Sequence, residues 1–297
     1  MRMLTLTVSA ELAGRTVKSL LLHRLAVPEG MIARIKLRER GICRNGVRCR
    51  TTDRVEVGDV LTVEVGDAPA ETGIVPMAAE LPIVYEDEDL IVVNKPAGMA
   101  THGKALWGDC TVANALAAYW GTRQAFHPVT RLDRGTSGLL VAAKSGYAHE
   151  RLRSILHTEG FCREYLALAL GTLPERQGSI TLPIAKAPDG AHRFQADAAG
   201  MEARTDYTLL ERRGELNLLR LRLYTGRTHQ IRVHLAALGC PLAGDWLYGE
   251  ALPGLERPAL HSAFLNLTQP ITGEKIELSA ALPPDMEELW QKYTASK

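Results

Sequence analysis

No stretch of the 297-residue chain approaches the roughly 20 consecutive apolar residues of a membrane-spanning helix. The apolar segment around Leu20 is short and interrupted by His23 and Arg24, so neither a signal peptide nor a membrane anchor is expected. Five cysteines (Cys43, Cys49, Cys110, Cys162 and Cys240) form an odd set without a C-x-x-C pair, which argues against a zinc ribbon or dithiol redox motif. Reduced thiols in a cytoplasm are the simplest account. The chain also lacks a phosphate loop, a dinucleotide fingerprint, a metal-ligand spacing, an internal repeat and any low-complexity tract.

What is there is ordinary in bulk and uneven in detail. Hydrophobic residues make up 46% and charged residues 23%, the balance of a globular protein of one large or two modest domains. The net charge of +1 hides an asymmetry. Arg15 to Arg54 holds eleven Lys or Arg and three Asp or Glu, a local net of +8 that leaves −7 for the remainder. A basic block of this kind suits a phosphate polymer as partner.

The first part reads as a small α/β unit. Leu4 to Val8 alternates as a strand. Ser9 is placed to cap a helix from Ala10, with Val17, Leu20, Leu21 and Leu25 on its apolar face. A second helix is expected from Met31 to Arg40, stopped by Gly41. Asn45-Gly46 predicts a hairpin turn, and Val60 to Val65 a closing strand. We place this unit at residues 1–66, a linker with Pro69, Gly73 and Pro76 at 67–80, and a second domain at 81–297.

In the second domain, strands are expected at 83–85 and 90–93 around an acidic turn. Thr111 should cap a helix ending at Trp120, and Ser145 a helix through Leu152 and Ile155. Leu219, Leu221 and Leu223 alternate with Arg220, Arg222 and Tyr224, which predicts an antiparallel strand.

Residues 127–145, H-P-V-T-R-L-D-R-G-T-S-G-L-L-V-A-A-K-S, are the centre of the chain. Leu139 to Ala143 reads as a buried strand. Before it, Asp133 lies between Arg131 and Arg134, where its ionised form is favoured. That suits a nucleophile or base. A surface arginine cluster around a turn is the plain alternative. A Ser137 nucleophile helped by Asp133 and His127 is a third reading, but Leu139 stands where the hydrolase elbow G-x-S-x-G needs glycine. Farther on, T-G-R-T-H-Q-I-R-V-H at 225–234 puts His229 and His234 five apart. That spacing does not give a metal pair on one helix face, so the two are expected in core or supporting roles.

The 127–140 string resembles the signature of the RluA-type pseudouridine synthases, with Thr130 where many members carry His. Asn94-Lys95-Pro96-Ala97-Gly98 resembles their N-K-P-x-G motif. Arg163-Glu164-Tyr165 resembles their K-x-Y, and residues 225–234 their T-G-R-x-H-Q-I-R-x-H. With Leu260-His261-Ser262-Ala263 and the C-terminal segment, the resemblance spans about residues 81–290. More loosely, Ser19, Ile35-Lys36, Arg44-Asn45-Gly46 and Val57-Gly58-Asp59-Val60 resemble the αL-type RNA-binding domain of a small-subunit ribosomal protein.

The resemblance implies an α+β fold. A mixed, mainly antiparallel sheet would form the catalytic domain, with a small N-terminal α/β RNA-binding domain attached. It implies isomerisation of uridine to pseudouridine in structured RNA, without cofactor or metal. Asp133 would add to the ribose or remove one of its protons. Arg227 would pair with Asp133 and aim it. Tyr165 would pack on the uracil and help proton loss, and Leu260 would close the pocket. Arg131 would fill the gap left by the extruded base or contact phosphates. Arg34, Lys36, Arg38 and Arg44 would contact RNA. Large-subunit ribosomal RNA is the leading substrate and transfer RNA the second, with the protein a cytoplasmic monomer. A non-catalytic RNA-binding assembly factor and a glycosidase that stops at bond cleavage are the other classes.

Overall fold

The structure is a computed structural model that describes residues 2–67, 73–103, 109–121, 125–188 and 193–293. The first unit comprises β1 (Met3–Thr7), α1 (Val17–His23), α2 (Glu29–Ile35), β2 (Ile42–Arg44), β3 (Val47–Arg48) and β4 (Val60–Glu64). Its sheet runs β1-β4-β2-β3, all antiparallel. Leu20, Leu21, Ile32 and Ile35 from the helices bury against Ile42, Leu61 and Val63.

Both helices are shorter than the periodicity predicts. The Ser9 carbonyl accepts from Leu12 and Ala13 in a turn, and Thr16 caps α1 instead, its hydroxyl accepting from the Ser19 amide at 3.3 Å. α2 stops at Ile35 because the chain folds back over its end. A Cβ on Gly41 would lie 1.8 Å from the Ile35 carbonyl oxygen, so only glycine fits. Asn45 and Gly46 adopt φ of 51° and 78°, the left-handed pair of a tight hairpin turn.

The second unit continues with β5 (Ile83–Glu86), β6 (Leu90–Lys95), α3 (Val112–Trp120), β7 (His127–Pro128), β8 (Ser137–Ala143), α4 (Gly146–Ile155) and β9 (Phe161–Leu170). It goes on through β10 (Gln177–Ile180), β11 (Ile184–Lys186), β12 (Phe194–Ala196), β13 (Thr205–Arg213), β14 (Leu216–Leu223) and α5 (Gln230–Ala237). β15 (Leu260–Thr268), β16 (Lys275–Ser279) and α6 (Pro284–Lys292) complete it. The main sheet is ordered β10-β13-β14-β9-β15-β8-β6-β5, with β16 on β15 and β7 on β8. Thr111 and Ser145 cap α3 and α4 through their side chains, as their positions predicted.

Among the described strand pairs of this sheet, β15 with β8 is parallel and the rest are antiparallel. At this junction Gly138 has φ of 109°, and a Cβ there would lie 2.3 Å from the Ser262 carbonyl oxygen. β8 is buried along its whole length. Leu140 and Ala142 pack with Ile91, Val93 and Tyr165 on one face. Leu139 and Val141 pack with Val92 and Leu152 on the other. A strand covered on both faces needs apolar residues at every position, which is why it reads as a continuous run.

The two units touch at defined points. The Tyr147 ring is part of the N-terminal core, and its hydroxyl donates to the Leu25 carbonyl at 2.7 Å. Asp67, at the start of the expected linker, accepts from the Gly146 amide at 3.0 Å and hydrogen-bonds His127 at 2.6 Å. Arg2 pairs with Glu88, and with Asp89 at 3.6 Å.

Candidate active site

Asp133 sits in the loop between β7 and β8, a loop braced from three directions. The Thr136 amide donates to the Asp133 carbonyl at 3.1 Å, closing a tight turn. The Thr101 hydroxyl donates to the Leu132 carbonyl at 2.9 Å and accepts from its amide at 3.2 Å. Thr130 occupies the family's His position with its own function, its hydroxyl oxygen accepting from the Val141 amide at 3.0 Å.

Lys95 supplies the second brace. Its ammonium is fully buried and donates to the carbonyls of Pro96, Met99 and Arg134 at 2.9, 2.7 and 3.3 Å. It thereby ties the Pro96–Met99 turn to the loop of Asp133. Burial pushes its pKa down to about 7, against the pull of the Asp133 carboxylate. Arg257 supplies the third. Asp285 holds it at 2.6 and 2.7 Å, and its remaining nitrogen donates to the Gly135 and Leu260 carbonyls at 3.1 and 3.4 Å.

The Asp133 side chain is 33% exposed and opens on a cleft of about 620 Å³. Tyr165, Leu260, Arg131, Arg227, His229 and Arg232 share that lining. The expected guanidinium neighbours differ from the observed one. Arg134 turns outward to Asp109 at 2.7 Å, and Arg131 is exposed at the mouth. Arg227, expected to aim Asp133, instead donates from Nε to the Glu202 carbonyl at 2.9 Å. The arginine at the carboxylate is Arg232, with Nη1 3.9 Å from Asp133 Oδ2. His229 Nε2 lies at the same distance, 3.9 Å.

The local chain explains this choice. Gln230 is buried, and its side-chain oxygen accepts from the Thr225 hydroxyl at 2.8 Å and the Arg227 amide at 3.0 Å. His229 then takes a left-handed φ of 56° at the helix N-cap. That turn sends Arg227 to one side and brings Arg232, on the first turn of α5, over the cleft. Asp245 fixes Arg232 by two bonds of 2.7 Å. His229 is held through Nδ1 by the Tyr248 hydroxyl at 2.8 Å. Burial lowers the pKa of His229, with Asp133 opposing and Arg232 adding to the effect. His234 is a core residue, bonded to the Thr205 hydroxyl and the Leu182 carbonyl, each at 2.9 Å.

Tyr165 projects inward from β9 and is only 4% exposed. Burial raises its phenol pKa; Asp133 adds to the rise and Arg163 opposes it. Leu260 lines the same cleft at the start of β15. The Ser137 nucleophile reading fails on geometry. Its hydroxyl is buried against His261 Nδ1 at 2.9 Å, while His127 is bonded to Asp67.

On the N-terminal unit, Arg34 and Lys36 are exposed. Arg38 and Arg44 are partly committed to the fold, donating to the Gly66 and Arg54 carbonyls at 2.8 Å each. A cavity of about 490 Å³ is lined by Lys36 together with Arg48 and Arg50, which no motif singles out. Their only signal in the sequence is the basic block itself.

The sequence profile described as RNA pseudouridylate synthase matches residues 89–237. The chain is 38% identical over 244 residues to an uncharacterized RNA pseudouridine synthase, YhcT, of Bacillus subtilis, covering 80% of each chain. It is 40% identical over 231 residues to ribosomal large subunit pseudouridine synthase D of Yersinia pestis, covering 72% of this chain and 71% of that one. The protein of the same name from Escherichia coli O157:H7 is 35% identical over 306 residues, with 96% and 93% covered. Among solved structures, human RNA pseudouridylate synthase domain containing 1 superimposes with a TM-score of 0.56 at 27% identity, covering 73% of this chain and 96% of that one.

Proposed function

The chain belongs to the RNA pseudouridylate synthase family, and on that premise we propose that it isomerises a uridine of large-subunit ribosomal RNA, with Asp133 as its catalytic carboxylate. Transfer RNA is the second substrate class. The observation that carries this reading is the placement of Asp133. It is a part-exposed carboxylate opening on a cleft of about 620 Å³, with a pinned arginine on one side and a buried tyrosine along the same lining.

The reaction breaks the C1′–N1 bond, turns the uracil and forms a C1′–C5 bond. The C5 proton leaves and N1 regains one, so the elemental composition is unchanged and no redox partner is needed. Asp133 serves either by adding to the ribose or by taking a ribose proton. Arg232 takes the aiming role. Its guanidinium faces the Asp133 carboxylate at 3.9 Å, and its orientation is set by Asp245 before substrate arrives.

Tyr165 presents a ring to the uracil. With its pKa raised by burial it stays protonated near neutral pH, so it is a packing surface and not a resting base. Leu260 closes the apolar side, and Arg131 at the mouth meets the RNA strand from which the base is extruded. Arg34 and Lys36, with Arg48 and Arg50 beside them, offer phosphate contacts on the N-terminal unit, and Arg38 and Arg44 border that face. The cysteines are free among the described residues, which fits a cytoplasmic setting.

The test is to map pseudouridines in large-subunit ribosomal and transfer RNA from cells lacking the protein. The cells are then complemented with wild type or Asp133→Asn. A site present with wild type and missing with the variant is expected. Release of free uracil in vitro would indicate a glycosidase, and unchanged maps would indicate a non-catalytic factor.

A further inference from the structure

Among the described residues, the buried guanidiniums have carboxylate partners, with one exception in the cleft. Arg232 has Asp245 and Arg257 has Asp285. Arg163 is 7% exposed, and its Nη2 is buried with no hydrogen-bond partner among the described residues. A buried cation left unpaired costs several kcal/mol, and buried polar groups are nearly always satisfied. Arg163 nonetheless lines the catalytic cleft. It lies two residues before Tyr165 on β9, on the same inward face of the alternating strand.

The surroundings of Arg163 are cationic too. Its two terminal nitrogens sit 3.8 and 3.9 Å from where a Cβ on Gly226 would be, so the Thr225–Arg227 turn passes directly over the guanidinium. Arg227 follows that glycine and spends its Nε on a carbonyl oxygen, not on a carboxylate. His157 stands at the rim, its pKa lowered first by burial and then by the charges of Arg163 and Arg227. No described carboxylate lies within ion-pair distance of Arg163 or Arg227. No described residue therefore supplies the negative charge that would balance this end of the cleft.

We infer that Arg163, Arg227 and His157 form a phosphate subsite of the cleft. It takes the phosphodiester of the RNA strand next to the uridine held at Asp133 and Tyr165. The inference rests on the reading of Asp133 and Tyr165 given above. A phosphodiester is the anion that arrives attached to the substrate, and it satisfies several donors at once. Guanidinium forks match its oxygens in pairs. Gly226 keeps the turn slim, so that the backbone of the strand can approach. The anion neutralises the buried cation only when substrate is bound, which makes Arg163 a substrate-positioning residue.

The experiment titrates inorganic phosphate into the full-length protein while following the imidazole resonance of His157 by NMR. Wild type, Arg163→Met and Arg163→Lys are compared at constant ionic strength. Phosphate should raise the His157 pKa in wild type. The phosphate affinity should fall about tenfold or more in Arg163→Met, as expected when a charge-assisted hydrogen bond is removed, and by less in Arg163→Lys. With transcribed large-subunit ribosomal RNA under single-turnover conditions, RNA affinity should fall about tenfold in Arg163→Met, with a much smaller change in the saturating rate. Should Arg163→Met fail to fold, Arg163→Lys carries the comparison, because it keeps the charge and loses the fork.

An equal phosphate response in wild type and variants would overturn the subsite. So would a lost saturating rate at unchanged RNA affinity, since the cation would then serve bond breaking. A normal phosphate response in a wild-type protein that modifies no RNA would uphold the subsite and overturn the proposed activity.

Discussion

Arg232 is gripped by both oxygens of Asp245, each at 2.7 Å, while its remaining terminal nitrogen stands 3.9 Å from Asp133. One carboxylate fixes the plane of the guanidinium and the other receives its free edge. Asp245 is fully buried and the Arg232 side chain is 8% exposed, so the fork is rigid and poorly screened. The carboxylate of Asp133 is the exposed member, and it is the one that opens on the cleft.

Replacing Asp133 by Asn keeps the size of the side chain and removes its charge. RNA affinity is expected to stay within a few-fold of wild type, while pseudouridine formation falls below detection. Tritium release from C5-labelled uridine in RNA reads the turnover. Substantial residual release would remove Asp133 from the central role.

Arg232→Lys keeps the charge but cannot engage Asp245 through a fork. We expect turnover to drop by about a hundredfold or more, consistent with a misaimed catalytic group. Arg227→Lys should leave the saturating rate within about fivefold of wild type, because Arg227 does not face Asp133. If the two variants behaved in the reverse way, the assignment of Arg232 would be wrong. Asp245→Asn should also lower the melting temperature, since breaking a buried ion pair costs about 3–5 kcal/mol.

Stability should fall on the acid side through His261. This residue is fully buried against Ser137, and burial drives its pKa down to about 4 from the ordinary 6.5. Between those values the unfolded chain takes up a proton that the folded chain refuses. Unfolding free energy therefore rises with pH from about 4 to 6.5 and is lost on acidification, by up to about 3 kcal/mol from this group. Urea unfolding at pH 7 and pH 4.5 should show a smaller acid loss for His261→Gln than for wild type. Equal losses would assign the acid sensitivity elsewhere.

The basic face of the N-terminal unit should act through counterion release. The full-length variant carrying Arg34→Gln, Lys36→Gln, Arg48→Gln and Arg50→Gln should bind ribosomal RNA more weakly. Its dependence of log affinity on log salt should be shallower by about 0.7–0.9 for each phosphate it no longer neutralises. The saturating rate should change little. An unchanged slope would mean that this face does not touch RNA. Deleting the unit altogether is a harsher change, because it uncovers the Tyr147 ring and frees Asp67 from its context.

Much of this is legible in the chain. The run from Leu139 to Ala143, the caps Thr111 and Ser145, and the Asn45-Gly46 turn each depend on neighbours in sequence, and each forms as its residues dictate. The loop holding Asp133 stands out through its resemblance to a family signature, because its composition alone leaves a surface arginine cluster as an equal reading. Which arginine serves it cannot be read from the sequence. Arg227 and Arg232 share one motif, and the choice is made by the left-handed turn at His229 and by Asp245, thirteen residues beyond Arg232. The braces from Lys95 and Arg257 join residues 39 and 122 positions apart, so no local pattern announces them. The boundaries of α1 and α2 also differ from the helical periodicity: α1 begins at the Thr16 cap and not at Ser9, and α2 ends where the chain turns back at Gly41.

The position of β15 in the sheet has a consequence for when the protein becomes active. It lies between β9, which carries Tyr165, and β8, which follows the loop of Asp133. His261 pairs with Ser137 across 124 residues of chain, and it does so in parallel, where no hairpin can help. A nascent polypeptide that has emerged only as far as β14 contains Asp133, Tyr165 and the basic N-terminal face. It has no strand to set the two halves of the cleft side by side. On the proposed function, such a chain is expected to bind RNA before it can modify it. Synthesis of the segment from Leu260 onward would then act as the switch, and an incomplete product released early from the ribosome is expected to be catalytically silent.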